Sequence, residues 1–273
     1  MKKPAELDAA VATYYAQAPE EDRLKYGAAL LEEARTRDLI QHHAPGPPAV
    51  VLDIGGGAGA YSFWLADLGY TVHLVDAAPR LIAEAQRRAT GGQLASSSVG
   101  DARALEFPDA HADVVLLLGP LYHLTESADR MMALAEARRV LKPGGWLFGA
   151  VISRWASALD GLARDLFQDP RFAAIVQRDL QDGQHRNPTD RLDYFTTAYF
   201  HTPTDALRET AGARFANVRI FGIEGPGWLF PDIQERMSDP RRRADLLLVA
   251  RMVEAEPSLF GASAHLLVVA QKS

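Results

Sequence analysis

The chain of 273 residues contains no cysteine. Disulfide frameworks, thiolate metal centres and cysteine nucleophiles are excluded together. An excess of positive charge is also missing: 29 Lys and Arg stand against 35 Asp and Glu, a net charge of −6. That balance lacks the basic footprint that engages phosphate backbones, so nucleic acid is not an expected partner. The one basic cluster, Arg241-Arg242-Arg243, runs at once into Ala244-Asp245 and reads as a solvated helix start. No stretch approaches the ~18 apolar residues of a membrane span, and Met1 to Asp8 carries no apolar leader segment. No membrane partner and a cytoplasmic location are expected. The eight histidines include the neighbours His42 and His43 but no H-x-x-x-H spacing, so no metal site is expected.

What remains is ordinary globular material, 48% hydrophobic and 23% charged, with enough chain for a full core. The segment up to His43 reads as helical, with Leu7, Val11, Tyr14 and Tyr15 on one face and Leu24, Ala28, Leu31 and Ala34 on another. Ala44-Pro45-Gly46-Pro47-Pro48 then breaks it. Apolar strands are expected at 49–54, 71–75, 94–98, 113–118, 146–152, 217–222 and 264–270. Helices are expected at 59–68, 79–89, 126–141 and 204–211. Apolar strands alternating with amphipathic helices predict an α/β fold, a doubly wound sheet with ligands beyond the carboxyl ends of its central strands.

Two stretches break the rhythm. Residues 153–202 hold an expected helix from Trp155 to Phe167, polar turns through Asp182-Gly183, and the aromatics Tyr194, Phe195, Tyr199 and Phe200. Residues 223–262 hold Gly225-Pro226-Gly227-Trp228-Leu229-Phe230-Pro231 and a helix rich in Leu and Val. The expected division is a helical cap at 1–44, a core at 45–152, a lid at 153–202, and the rest of the core at 203–273 with its insertion at 223–262. Leu246-Leu247-Leu248-Val249 serves either a homodimer interface or the core.

The densest chemical signal is Asp53-Ile54-Gly55-Gly56-Gly57-Ala58-Gly59, at the end of the first strand. Glycines there let the backbone turn sharply and approach a ligand, and the next helix offers its N-terminal N–H groups. Asp76 ends the second strand about 20 residues on, where an acid accepts ribose hydroxyls. Asp101 follows the third strand in Gly100-Asp101-Ala102, suited to an adenine amino group. A nicotinamide dinucleotide loop would want a closing glycine where Ala60 stands, although alanine also occurs there. Pyrophosphate is also poorly matched to carboxylates, whereas a phosphate-free, cationic sulfonium tolerates them.

These residues resemble class I S-adenosylmethionine-dependent methyltransferases. The Asp53–Gly59 loop is similar to their first motif, Asp76 to their second, and Asp101-Ala102 to their adenine-contacting motif. Leu118-Gly119-Pro120-Leu121-Tyr122-His123-Leu124 resembles the segment after the fourth strand in a small-molecule subgroup. Arg139-Val140-Leu141-Lys142-Pro143-Gly144-Gly145 resembles the turn into the fifth strand. The resemblance is dense over 45–152 and implies a Rossmann-like sheet of seven strands with an antiparallel last pair. It also implies S-adenosyl-L-methionine as cofactor and a small, hydrophobic or aromatic acceptor. Tyr14, Asp53, Gly55, Gly57, Asp76, Asp101, Ala102 and Gly119 are the implied cofactor contacts.

Methyl transfer is an in-line displacement accelerated chiefly by positioning, and a base is needed only where the acceptor must lose a proton. His123 is the candidate base or orienting group, with Tyr122 lining the pocket and His201 entering from the cap. Each has a plainer alternative: a local hydrogen bond for His123, packing for Tyr122, helix capping for His201. Tyr14 and Tyr15 offer a cation–π face to a sulfonium or simple helix packing. Arg23 is a partner for the cofactor's carboxylate or a surface ion pair, and Glu224 a candidate acceptor contact. Two other functions fit the residues: an NAD(P)-dependent oxidoreductase and a non-catalytic adenosyl-binding module.

Overall fold

The computed structural model describes residues 8–17 and 20–273; Leu7 lies outside them. Two helices come first, α1 (Ala9–Gln17) and α2 (Ala29–His43), joined by a 3₁₀ segment at Glu20–Lys25. The core then runs β1 (Val50–Ile54), α3 (Ala60–Asp67), β2 (Thr71–Asp76), α4 (Pro79–Arg88), β3 (Ser96–Val99) and β4 (Ala112–Leu117). It continues through α5 (Pro120–His123), α6 (Ser127–Val140) and β5 (Leu141–Ser153). The first insertion supplies α7 (Ala156–Ala163), α8 (Pro170–Asp182), β6 (Gln184–His185) and β7 (Ala198–His201). The chain closes with α9 (Pro203–Gly212), β8 (Phe215–Gly222), α10 (Ile233–Ser238), α11 (Pro240–Val253) and β9 (His265–Lys272).

The seven expected strands pair in the order β3-β2-β1-β4-β5-β9-β8, all parallel through β5 and antiparallel thereafter. Alternate residues of the central strands bury opposite faces. Leu52, Val115 and Leu117 pack with α6 and α9, while Val51, Val114 and Leu116 pack with α2 and α3. Chain order reverses between β1 and β4, and the loops leaving those strands part to open a crevice at their carboxyl ends.

The insertion departs from its expected form. Residues 170–182 are a helix, not polar turns: Asp169 caps its N-terminus by accepting from Arg171 N–H. Phe172, Ile175, Val176 and Asp179 recur at helical spacing on its buried face. The insertion also contributes two short strands. β9 covers one edge of β5 up to Ile152, and β4 covers the other up to Gly149. β7 continues on the β4 edge, opposite Ile152 and Ser153. The length of β5 therefore sets the insertion over the end of β4. In the second insertion Leu246 and Leu247 pack around Leu31, whereas Leu248, Val249 and Met252 are exposed.

Candidate functional site

Two adjoining cavities occupy the carboxyl end of the sheet, of about 840 Å³ and 280 Å³. The larger runs past the glycine loop, Asp76, Gly100–Arg103 and Gly119–His123. Its size is that of an ordinary small-molecule site. Tyr15, Arg23 and Tyr122 line both cavities and so form the boundary they share.

The loop after β1 is built for close approach. Gly55 has φ +74°, and a Cβ on it would stand 2.5 Å from the Pro120 ring, so only glycine lets the loops after β1 and β4 meet. Asp53 lies wholly buried beneath, not on the cleft wall: its Oδ2 accepts from Ser62 Oγ at 2.7 Å. Burial, with the nearby Asp76 charge, pushes its carboxyl up to about 6 against that hydrogen bond. The expected cofactor contact at Asp53 is thus a support for the loop.

Asp76 reaches the cleft. Its Oδ2 accepts from Gly57 N–H and its Oδ1 from Ala78 N–H, each at 2.8 Å. Burial raises its pKa against those two bonds. Each oxygen keeps acceptor capacity. A vicinal diol matches such a carboxylate, and Gly57 N–H is already spent on it instead of being offered to a phosphate. Asp101 lines the same cleft, but Arg103 holds it through Nε and Nη2, the latter at 2.7 Å. Arg103 also bonds Asp129 at 3.1 Å. An adenine amino group at Asp101 would share a carboxylate that is already paired. Ala102 and Gly119 line the cleft as expected. Tyr14 does not; it lines the smaller cavity, packed edge-on against Phe195.

His123 lines the larger cavity beside that boundary. Its Nδ1 faces the Thr197 carbonyl at 3.3 Å, an acceptor only, so Nδ1 carries the proton. Nε2 then accepts the Tyr15 hydroxyl at 2.6 Å. Burial pushes its pKa down to about 4, leaving the ring neutral near pH 7. The bonds tie α1, the loop after β4 and the insertion together. His201, by contrast, lines neither cavity. It is buried, with Nε2 3.4 Å from Glu209, and burial lowers its pKa. Its expected entry into the pocket does not occur, because β7 turns that side chain toward α9. Arg23 pairs with Glu32 through both terminal nitrogens, at 2.7 and 2.9 Å.

The smaller cavity has aromatic walls, among them Phe172, Tyr194, Phe195 and Trp228, and one polar end. There Glu224 accepts from His265 Nδ1 at 2.6 Å, from His265 N–H at 3.0 Å and from Ser263 Oγ at 2.7 Å. Glu32 stands 3.9 Å from the same ring nitrogen. Burial would raise the Glu32 pKa, but Arg23 and His265 bring it down to about 2. Glu224 is therefore on the cavity as anticipated. His265 and Glu32 escape notice in the sequence, since strand pairing and helix docking, not spacing, bring them to Glu224. Glu32, Glu224 and His265 are the one cluster among the described residues with metal-ligating atoms in mutual reach.

Residues 52–149 match a family model described as a methyltransferase domain. The chain is 35% identical over 146 residues to a ubiquinone/menaquinone biosynthesis C-methyltransferase of Acidiphilium cryptum, a match covering 51% of this chain and 55% of that one. It is 36% identical over 140 residues to a 2-methyl-6-phytyl-1,4-hydroquinone methyltransferase of Synechocystis, covering 47% of this chain and 43% of the other. The chain thus spans about half the length of the curated relatives it matches. A solved S-adenosylmethionine-dependent methyltransferase of Methanosarcina mazei superposes with a TM-score of 0.57 at 21% identity, covering 85% of this chain and 96% of that one. Residues 52–149 are thus similar in sequence to a methyltransferase domain, and the chain shares the fold of a solved S-adenosylmethionine-dependent methyltransferase.

Proposed function

We propose that this protein transfers a methyl group from S-adenosylmethionine to a small hydrophobic or aromatic molecule. The observation that carries this reading is Asp76, a buried carboxylate braced by the glycine loop, in a cleft that adjoins a second, aromatic cavity. The residues present fit the cofactor. Asp76 suits the ribose diol, Ala102 and Asp101 the adenine end, and Gly55 and Gly119 a close backbone approach. When bound, S-adenosylmethionine supplies a methyl carbon activated by the sulfonium. The chain's own part is to hold the acceptor in line and to exclude water.

The smaller cavity would hold that acceptor. Tyr122 faces both cavities, and His123 fixes Tyr15 at their shared boundary, so the pair orients the acceptor rather than abstracting a proton from it. Both curated relatives are named for quinone-type rings, which supports an aromatic acceptor. An oxidoreductase binding pyrophosphate fits less well, because Gly57 N–H already serves Asp76.

A thermal-shift comparison tests the reading. S-adenosylhomocysteine and S-adenosylmethionine at ~100 times their dissociation constants are expected to stabilise by about 2.7 kcal/mol. That raises the midpoint by roughly 5–11 °C, at about 2–4 °C per kcal/mol. NAD and NADP are expected to leave it unchanged. A shift with the dinucleotides alone would sink the proposal.

A further inference from the structure

We propose that His265, held by Glu224, accepts the proton of a hydroxyl-bearing aromatic acceptor in the smaller cavity. This rests on the methyl-transfer reading and adds the acceptor's chemistry and the residue that meets it. Glu224 follows β8 and His265 opens β9. Because these strands are antiparallel, the end of one and the start of the other fall at the carboxyl end of the parallel strands, beside Ile152. The dyad is thus delivered to the ligand side by topology.

Its geometry leaves one atom available. Nδ1 is committed to Glu224 Oε1, so that carboxylate fixes the ring and its tautomer. Among the described residues Nε2 makes no hydrogen bond, and the ring lines the cavity with 23% of its side-chain surface exposed. The surrounding charges are already matched. Glu32 is held by Arg23, and Glu224 by Ser263 and His265. An ammonium acceptor would find no unpaired carboxylate in that cluster, and a carboxylate acceptor would bring a third anion. A neutral hydroxyl on a flat ring suits both the polar end and the aromatic walls.

In the step, the acceptor's O–H proton passes to Nε2 of neutral His265. The electron pair released on the acceptor, at oxygen or at a conjugated ring carbon, forms the new bond to the methyl carbon. The carbon–sulfur pair returns to sulfur. The resulting imidazolium lies between Glu224 and Glu32. Although burial alone would lower the His265 pKa, those two carboxylates raise it overall, with Arg23 opposing them. Asp160, Asp193, Tyr14, Tyr15, Tyr122 and Tyr194 are the other ionisable groups facing the cavity. Because the neutral ring is the reactive form, turnover falls on the acid side, beginning above the pH at which an ordinary histidine titrates.

The probe is 4-nitrophenol, whose visible absorbance separates phenol from phenolate, added to protein saturated with S-adenosylhomocysteine at a pH below its own ionisation. The bound probe is expected to show the phenolate band. His265→Gln is expected to bind at least about tenfold more weakly and to leave the probe as phenol. Proton NMR titration of the His265 ring supplies a readout independent of any ligand: its midpoint lies above that of ordinary histidine and drops in Glu224→Gln. A probe bound and ionised equally by His265→Gln, or not bound by the native protein, overturns the proposal. So does tight Mn²⁺ or Zn²⁺ binding lost in Glu32→Gln, which would make the cluster a metal site. Failure to bind S-adenosylhomocysteine would instead sink the methyl-transfer reading.

Discussion

Asp76→Ala is expected to weaken S-adenosylhomocysteine binding by at least about 100-fold, measured by titration calorimetry. A hydrogen bond to a charged group is worth roughly 1.5–3 kcal/mol, and a ribose diol makes two. Since about 1.4 kcal/mol is tenfold in affinity, two such bonds account for two orders of magnitude or more. The substitution also strips Gly57 and Ala78 of their acceptor, so the loop that must approach the ligand loses its brace. The unliganded protein should suffer less. The two orphaned N–H groups cost about 1–3 kcal/mol each when they stay dry, but a buried carboxylate disappears with them and the cleft admits water. Loss of affinity with a modest change in the unliganded midpoint is therefore the signature. Affinity within threefold of native would remove Asp76 from the ribose.

Asp76 was legible because its signal is local: a strand end a fixed distance beyond a glycine loop, both on consecutive strands. The same holds for the seven strands and for the loop after β4. Residues whose role depends on distant contacts were harder to read. Asp101 lines the cleft as a carboxylate already paired with Arg103, two residues on, a contact that strand spacing alone does not reveal. His201 has the composition of a catalytic group, yet one strand register turns it into the interface with α9. His265 looks like any first residue of a buried strand, and its partner Glu224 lies 41 residues earlier. The helix at 170–182 was missed because its polar residues mask the Phe172, Ile175 and Val176 stripe. Local spacing thus exposes the glycine-loop cleft, while the smaller cavity is assembled by segments whose contacts span the chain.

The largest loss of stability is expected from Arg130→Ala. Arg130 is buried, bonds Glu209 through Nε at 2.8 Å and Nη2 at 2.7 Å, and donates from Nη1 to the carbonyls of Leu124 and Thr125, each at 2.9 Å. Its guanidinium also lies 3.9 Å from the centre of the Tyr199 ring. It therefore clamps the turn just beyond His123 to the insertion strand and to α9. Removing it leaves Glu209 buried without its partner, a change that costs about 3–5 kcal/mol, or roughly 6–20 °C in midpoint for a chain of this size. Replacing both partners with apolar residues of similar volume, Arg130→Met with Glu209→Leu, should recover much of the loss, since no buried charge is stranded. Acid should mimic the single substitution. Burial alone would raise the Glu209 pKa, but Arg130 and His201 hold it down at about 2 against a normal 4.5. The folded-state value is depressed, so the stabilisation is present above pH ~4.5 and is lost as pH falls toward about 2, roughly 3 kcal/mol in all. Buried His201 adds to the same trend from higher pH, because its own depressed pKa makes the unfolded chain take up the proton first. Urea unfolding of native and double variant at pH 7 and pH 3 checks both statements. Equal acid sensitivity in the two proteins would mean that the Arg130–Glu209 pair does not hold the turn after His123 in place.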